Sequence, residues 1–382
     1  MKVIHVIIGL DVGGAELMLF RLSESFNNDV GYEHSIVSLT GLGKLGSVLK
    51  GKGRDVTALN MRGFLDVPRV LFELYRVFRK ERPDVVQTWM YHADLIGGLA
   101  ARLSGMRNVI WGIRTTNVNS GVSRVTRWIR QACAVLSYII PRVIICAAEA
   151  SREAHARIGY SSKRMMVIPN GFDLEALTAT INDRHAVRMA AGFSSGDLVV
   201  GSIGRYNPAK DHENFINAAL CLLDDFPNVK FLLIGRDLTS ENTLLMDLVL
   251  ASGVPERFTL LGERRDIPAC LKAMDIFCLH SRTEGFPNVL GEAMAMGLPC
   301  VTTNVGDAAL LVGETGIVVE PRDSRALADG LKFLIEKNED YRTELGQKAQ
   351  SRIRENFTMG HTTSRFKTVY ERLFSGNAAH DI

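Results

Sequence analysis

The residues best suited to chemistry lie in Ser281–Pro299, SRTEGFPNVLGEAMAMGLP. Two carboxylates, Glu284 and Glu292, stand there with seven residues between them. An apolar run of strand character, Ile276–Leu279, precedes them. After Pro287 the apolar positions Val289, Leu290, Ala293, Met294 and Met296 recur at helical spacings. Proline suits the first turn of a helix, where its missing N–H would be unpaired anyway. The pattern therefore predicts Glu284 on a loop at the C-terminal end of a strand, and Glu292 one to two turns into the next helix. The Gly285-Phe286 turn and the N–H groups of Asn288, Val289 and Leu290 then face a gap that suits an anion such as a phosphate. The same spacing also fits a solvated turn with a helix-dipole partner, so the rest of the chain must decide.

A second loop, Gly204-Arg205-Tyr206-Asn207-Pro208-Ala209-Lys210-Asp211, follows the apolar run Leu198–Ile203. An arginine fork and a lysine point charge at a strand end suit a diphosphate leaving group. The first apolar run of the chain ends in Gly9-Leu10-Asp11-Val12-Gly13-Gly14-Ala15-Glu16. Gly13 and Gly14 open a helix there and let bare backbone N–H groups approach a ligand. This is not the Gly-x-Gly-x-x-Gly dinucleotide fingerprint. A plain turn and a solvated basic loop are the alternatives for these two segments.

Positioning such loops requires strands that alternate with helices. Apolar strand-like runs recur at Val3–Ile8, Ser35–Leu39, Asp55–Ala58, Val85–Thr88, Val109–Ile113, Val143–Cys146 and Met166–Ile168. Amphipathic stretches such as Ala15–Phe26, Val67–Arg82 and Asp94–Leu103 lie between them. The scheme repeats after the turn Pro169-Asn170-Gly171-Phe172-Asp173. Strands are predicted there at Leu198–Ile203, Lys230–Ile234, Phe258–Leu261, Ile276–Leu279, Pro299–Thr302 and Gly316–Val319. This is an α/β chain of two doubly wound, Rossmann-like halves, residues 1–170 and 171–356, with ligands expected beyond the C-terminal strand ends and in the cleft between the halves.

The 382 residues and 46% hydrophobic content are enough for two cores. Mean hydropathy is near zero, at +0.06, and no apolar run is long enough to span a bilayer. The N-terminal MKVIHVIIGL reads as a first strand rather than a signal peptide. The six cysteines form no Cys-x-x-Cys pair, which fits a reducing cytosol. Residues 1–170 carry 23 Lys/Arg against 13 Asp/Glu, whereas 171–382 carry 22 against 29. Leu95–Ala148 contains no acid and seven arginines. A basic half calls for an anionic partner. Within it, Arg124, Arg127 and Arg130 recur beside Trp128 in an otherwise apolar stretch, Gly121–Pro141. That stretch fits either a helix on an anionic membrane surface or a core helix with one wet face.

Taken in order, the Gly13-Gly14-Ala15-Glu16 loop, the Ile168–Asp173 junction, Gly204-Arg205…Lys210, Asp266…Met274-Asp275-Ile276 and Glu284-Gly285-Phe286-Pro287…Glu292 resemble the family 4 glycosyltransferases over nearly the whole chain. The resemblance implies a retaining, metal-independent enzyme of the GT-B fold, with no cofactor beyond a nucleotide-diphosphate sugar as co-substrate. It implies that Arg205 and Lys210 hold the diphosphate, Glu292 the ribose, and Glu284 the transferred sugar. N–H groups after Phe286 would meet the phosphates, and the base would sit near Gly262–Asp266. The last helix, 357–374, would return to the N-terminal, acceptor-side domain. Many members carry a histidine after the fifth strand, where this chain reads Trp111-Gly112-Ile113-Arg114. Arg114, or His92 after the fourth strand, becomes the candidate facing the reacting sugar. The expected partners are a UDP-sugar, a lipid-linked or oligosaccharide acceptor and an anionic membrane surface, with no nucleic acid and a peripheral, cytoplasmic location. A sugar-nucleotide epimerase of the same fold and a non-catalytic nucleotide-sugar-binding scaffold are the competing readings.

Overall fold

A computed structural model describes residues 1–27, 29–116, 118 and 123–376, and every element and contact lies among these described residues. The chain divides into two compact units. One is Met1–Gly171 with the chain from Met359 onward; the other is Phe172–Thr358.

In the first unit β1 (Lys2–Ile7), β2 (Glu33–Ser38), β3 (Asp55–Ala58), β4 (Val85–Trp89), β5 (Val109–Ile113), β6 (Val143–Cys146) and β7 (Met165–Val167) form a parallel sheet ordered β3-β2-β1-β4-β5-β6-β7. Its helices are α1 (Gly14–Ser25), α2 (Gly43–Gly51), α3 (Val67–Glu81), α4 (Tyr91–Leu103), α5 (Arg124–Leu136) and α6 (Glu149–Arg157). Alternating side chains of β1 feed two cores: Val3 and Ile7 pack with α1, while Ile4 and Val6 pack on the side of α3 and α4. The winding direction reverses at β1, so the loops after β1 and β4 part and leave a crevice at the strand ends.

The second unit repeats the plan. Its strands β8 (Leu198–Ile203), β9 (Val229–Ile234), β10 (Phe258–Leu260), β11 (Ile276–Leu279), β12 (Cys300–Thr303) and β13 (Ile317–Val319) are ordered β10-β9-β8-β11-β12-β13. Helices α7 (Ile181–Ala190), α8 (His212–Leu220), α9 (Thr243–Ala251), α10 (Ile267–Lys272), α11 (Asn288–Ala295), α12 (Ala308–Val312), α13 (Ser324–Glu336) and α14 (Glu339–Asn356) cover it. Here the reversal falls between β8 and β11, which sets the loop after β8 beside the loop after β11. Asp275, just before β11, accepts the Val199 N–H at 2.8 Å and pairs with Arg184 at 2.6 Å and Arg188 at 3.1 Å. It thereby ties α7 to the base of the sheet.

The last helix, α15 (Met359–Phe374), belongs to the first unit. Phe366, Val369, Tyr370 and Leu373 lie on one stripe and are buried in the core shared with α1. The helix starts at Met359 rather than at 357. Phe357 accepts the Phe172 N–H at 2.8 Å and Thr358 bridges to Phe172, which keeps that segment out of the last helix.

Buried imidazoles run through both units. Trp89 Nε1–H donates to His5 Nδ1 at 3.2 Å, and His5 Nε2 lies 2.8 Å from His34 Nδ1. Indole only donates, so His5 accepts on Nδ1 and passes its Nε2–H to His34. Burial holds His5 well below the usual histidine range and lowers His34, His155 and His212 to about 4. Each group is neutral in the folded protein, so the unfolded chain binds more protons below about pH 6.5. This stability is fully present above about pH 6.5 and is lost as pH falls towards about 4, at about 1.4 kcal/mol per pH unit for each histidine. The melting temperature should therefore hold steady above about pH 7 and drop steeply below about pH 6. A flat profile down to about pH 5 would overturn the neutral assignment.

Candidate functional site

Parallel pairing of β8 with β11, Val200 opposite Ile276 and Gly201 opposite Phe277, makes their C-terminal loops neighbours. Lys210 Nζ donates to Glu284 Oε1 at 2.5 Å, and Ser281 Oγ donates to the same oxygen at 2.6 Å. The two ion-paired side chains are only 23% and 14% exposed, so the attraction is less screened than at an open surface. Several contacts fasten the loops. The Arg282 N–H donates to Ala209 O at 2.8 Å, and its guanidinium donates to Asp211 Oδ1 at 2.5 Å. Thr303 Oγ1 donates to Ser281 O at 2.8 Å. Gly306, at φ 57°, lies against the Glu284-Gly285 backbone, where a Cβ would come within 2.3 Å of Gly285 O. Asp307 N–H donates to that oxygen at 2.9 Å. Arg205 is exposed on the same loop as Lys210 and has no protein partner among the described residues.

Glu292 lies half-buried in α11. Phe172 seats this helix: its ring stacks with Phe286 at 6.0 Å between centroids and presses so closely on Gly291 that a Cβ there would lie 2.0 Å from Cζ. Pro287 is the N-cap rather than a first-turn residue. The expectation of three N–H groups facing a ligand is corrected at Leu290. That N–H donates back to Pro287 O at 3.1 Å, and the Gly291 N–H does so at 3.3 Å, because the first turn is tightened. Asn288 and Val289 remain at the helix start. Behind the site, the loops after β9 and β10 are joined by Gly235 N–H to Gly262 O at 2.8 Å.

In the first unit, Gly13 caps α1 in an extended conformation and Gly14 is exposed as its first residue. Glu16 folds back against this turn, its carboxylate 2.4 Å from where a Gly13 Cβ would be. His92 is half-buried in the first turn of α4, and burial lowers its pKa, so it is neutral near pH 7. Arg114 follows β5. Its guanidinium lies 4.8 Å from the Trp89 ring and 5.8 Å from the Phe366 ring, and donates to Asn170 Oδ1 at 3.0 Å. Desolvation lowers its pKa to about 10, which leaves it charged, with Nε and Nη2 buried and unpartnered among the described residues. Arg114 thus clamps β4, α15 and the Asn170 turn.

Helix α5 corrects the arginine pattern. Arg124 and Arg127 are exposed, but Arg130 is buried and donates to Val118 O. Trp128 is 72% exposed and Val135 70%, and Val125, Tyr138 and Ile139 are also largely exposed. Neither a fully packed helix nor three outward arginines describes this face. Residues 117, 121 and 122 of the corresponding motifs lie outside the described residues.

Two family models match in succession: "Glycosyltransferase Family 4" over residues 12–176 and "Glycosyl transferases group 1" over residues 197–337. The chain belongs to the family 4 glycosyltransferases. The enzyme is 29% identical over 266 residues to the UDP-Gal:alpha-D-GlcNAc-diphosphoundecaprenol alpha-1,3-galactosyltransferase of Escherichia coli, covering 68% of either chain. It is 25% identical to the capsular polysaccharide biosynthesis glycosyltransferase CapM of Staphylococcus aureus, covering 78% of this chain and 80% of that one. Its fold matches that of Anabaena HepE, solved in complex with UDP, with a TM-score of 0.85 at 21% identity, over 97% of this chain and 100% of the other. The glycosyltransferase has the GT-B fold.

The structure gathers Arg205, Lys210, Glu284, Gly285, Phe286 and Glu292 at the strand ends of the second unit, and Gly13, Gly14, His92 and Arg114 at those of the first. Sequence reasoning did not single out Ser281, Arg282 or Gly306. Gly306 is marked by its close approach to the Glu284-Gly285 backbone, and that is a property of the fold. Gly306→Ala should displace the Glu284-Gly285 backbone and lower glycosyltransferase kcat/KM by at least about tenfold, with a drop in melting temperature. Unchanged kinetics would show that this contact does not hold the loop.

Proposed function

We propose that this glycosyltransferase retains anomeric configuration, uses a UDP-sugar, and extends a lipid-linked glycan. The observation that carries the donor assignment is the Lys210–Glu284 pair, with Arg205 exposed on the same loop at a topological switch point. An ammonium and a guanidinium there can neutralise a diphosphate as it departs, and the start of α11 can add backbone N–H groups. In this reading Lys210 turns from Glu284 to the diphosphate when the donor binds. Glu284 is thereby released to the hydroxyls of the transferred sugar, and Glu292 takes the ribose. The uracil lies near Gly262–Asp266. With the cations supplying the electrostatics, the reaction needs no metal ion. His92, being neutral, can accept a hydrogen bond from a sugar hydroxyl. The Arg114 contacts favour a positioning role over direct contact with the sugar.

The acceptor reading rests on the named activity of the E. coli relative and on the first unit itself. Exposed Trp128, Val125 and Val135 beside Arg124 and Arg127, with Ile139 just past the helix end, make α5 an apolar face edged with cations, which suits an anionic membrane surface carrying the acceptor. No helix among the described residues is long and apolar enough to cross a membrane. Residues Met1–Gly171 are accordingly assigned the acceptor and Phe172–Thr358 the donor.

Glu284→Gln should lower kcat by at least about a hundredfold while UDP affinity changes little, a loss of roughly 3 kcal/mol confined to the transition state. Arg205→Ala should instead weaken UDP binding. Both are measured by sugar transfer and calorimetry in buffer containing EDTA. Normal turnover of Glu284→Gln would remove its assigned role, and loss of wild-type activity in EDTA would remove the metal-independent reading.

Vesicle flotation tests the membrane face. Wild type should bind anionic vesicles and lose binding as salt rises, since each basic residue near the surface contributes about 1 kcal/mol. Replacing Arg124 and Arg127 by Gln and Trp128 by Ser should reduce binding at least about tenfold without altering donor hydrolysis. Equal flotation of the variant would reject α5 as the membrane face.

A further inference from the structure

His280 follows β11 directly and is 2% exposed. Its Nδ1 lies 2.5 Å from Lys210 O, and its Nε2 lies 2.8 Å from Ser202 Oγ. A carbonyl oxygen only accepts, so Nδ1 carries the proton; Nε2 must then accept from the Ser202 hydroxyl. Ser202 stands on β8 and His280 continues β11, so the ring bridges adjacent strands and grips a third segment, the turn Pro208–Lys210. Phe215 of α8 stacks on the ring at 4.7 Å and His212 meets it edge-on at 5.1 Å. Packing and two hydrogen bonds leave the imidazole one orientation.

The gripped carbonyl belongs to the residue whose ammonium reaches Glu284. Asp211, the next residue, is left-handed at φ 56°, so the chain bends sharply just past Lys210. Without a fixed carbonyl the turn would be free to rotate at this bend, carrying Nζ with it. The Arg282 N–H to Ala209 O bond secures the preceding peptide but leaves the Lys210 carbonyl to His280.

We propose that His280 is a positioning residue for transfer: its Nδ1–H fixes the Lys210 carbonyl and so aims the Lys210 ammonium at the departing diphosphate. It touches no substrate and acts only through Lys210. Ser202 supports it by holding the tautomer that donates from Nδ1. This rests on the assignment of Lys210 to the donor diphosphate.

A double-mutant cycle in sugar transfer, read alongside melting temperature, tests it. His280→Ala should lower kcat/KM by about tenfold to a hundredfold in the wild-type background and have no further effect in Lys210→Ala, although it lowers the melting temperature in both. His280→Asn, whose amide N–H can replace Nδ1–H, should recover activity to within about threefold of wild type. Ser202→Ala should show a smaller loss that also vanishes in Lys210→Ala. Full activity in Lys210→Ala would reject the donor assignment itself. If Lys210→Ala is impaired but the His280→Ala loss is additive with it, or His280→Asn fails to recover while folding normally, His280 is a core residue and the positioning role is overturned. Should His280→Ala not fold, the Ser202→Ala and His280→Asn arms carry the same decision.

Discussion

A lysine and a glutamate 74 residues apart in sequence meet at 2.5 Å on neighbouring loops, and much of the second unit is arranged so that they can. Neither charge would remain so enclosed alone: burying an unpaired ammonium or carboxylate costs several kcal/mol, and pairing offsets this only in good geometry. The geometry comes from the sheet. Strand β8 carries the lysine loop, β11 the glutamate loop, and the reversal of winding places them side by side. Arg282, Asp211 and Thr303 then fasten the loops, and Gly306 supplies backbone contact at a distance that only a residue without Cβ permits.

The two proposed donor contacts neutralise one another in the structure. On the proposed donor assignment, a diphosphate would compete for Lys210 with two charges against the one on Glu284 and would separate the pair without unfolding the loop. Arg114 shows a different solution. With no carboxylate against it among the described residues, its charge is borne by two aromatic rings and an asparagine oxygen, and it stays protonated despite a pKa lowered to about 10.

Much of the fold was legible because strand periodicity and turn chemistry are local. β3, β5, β6, β8 and β11 have the bounds their apolar runs predict. Errors fell where a contact that the residue spacing does not encode decides the outcome. Arg130 sits on the same three-residue spacing as Arg124 and Arg127 but turns inward to a backbone carbonyl. Leu290 belongs to the anticipated row of N–H groups, yet a tightened first turn occupies it. The last helix begins late because Phe357 and Thr358 are taken up by Phe172.

The sequence by itself determined the chemical inventory and its order: two carboxylates around a Gly-Phe-Pro turn, two cations after an earlier strand, glycines opening the first helix, and a basic half before an acidic one. It also determined that each group would lie at the C-terminal end of a strand, since apolar period and turn residues act over a few positions. Which strands are neighbours was decided only in three dimensions, because strand order depends on how helices cross over and bury both faces of the sheet. That order puts Lys210 on Glu284 and aligns His280 with the lysine turn.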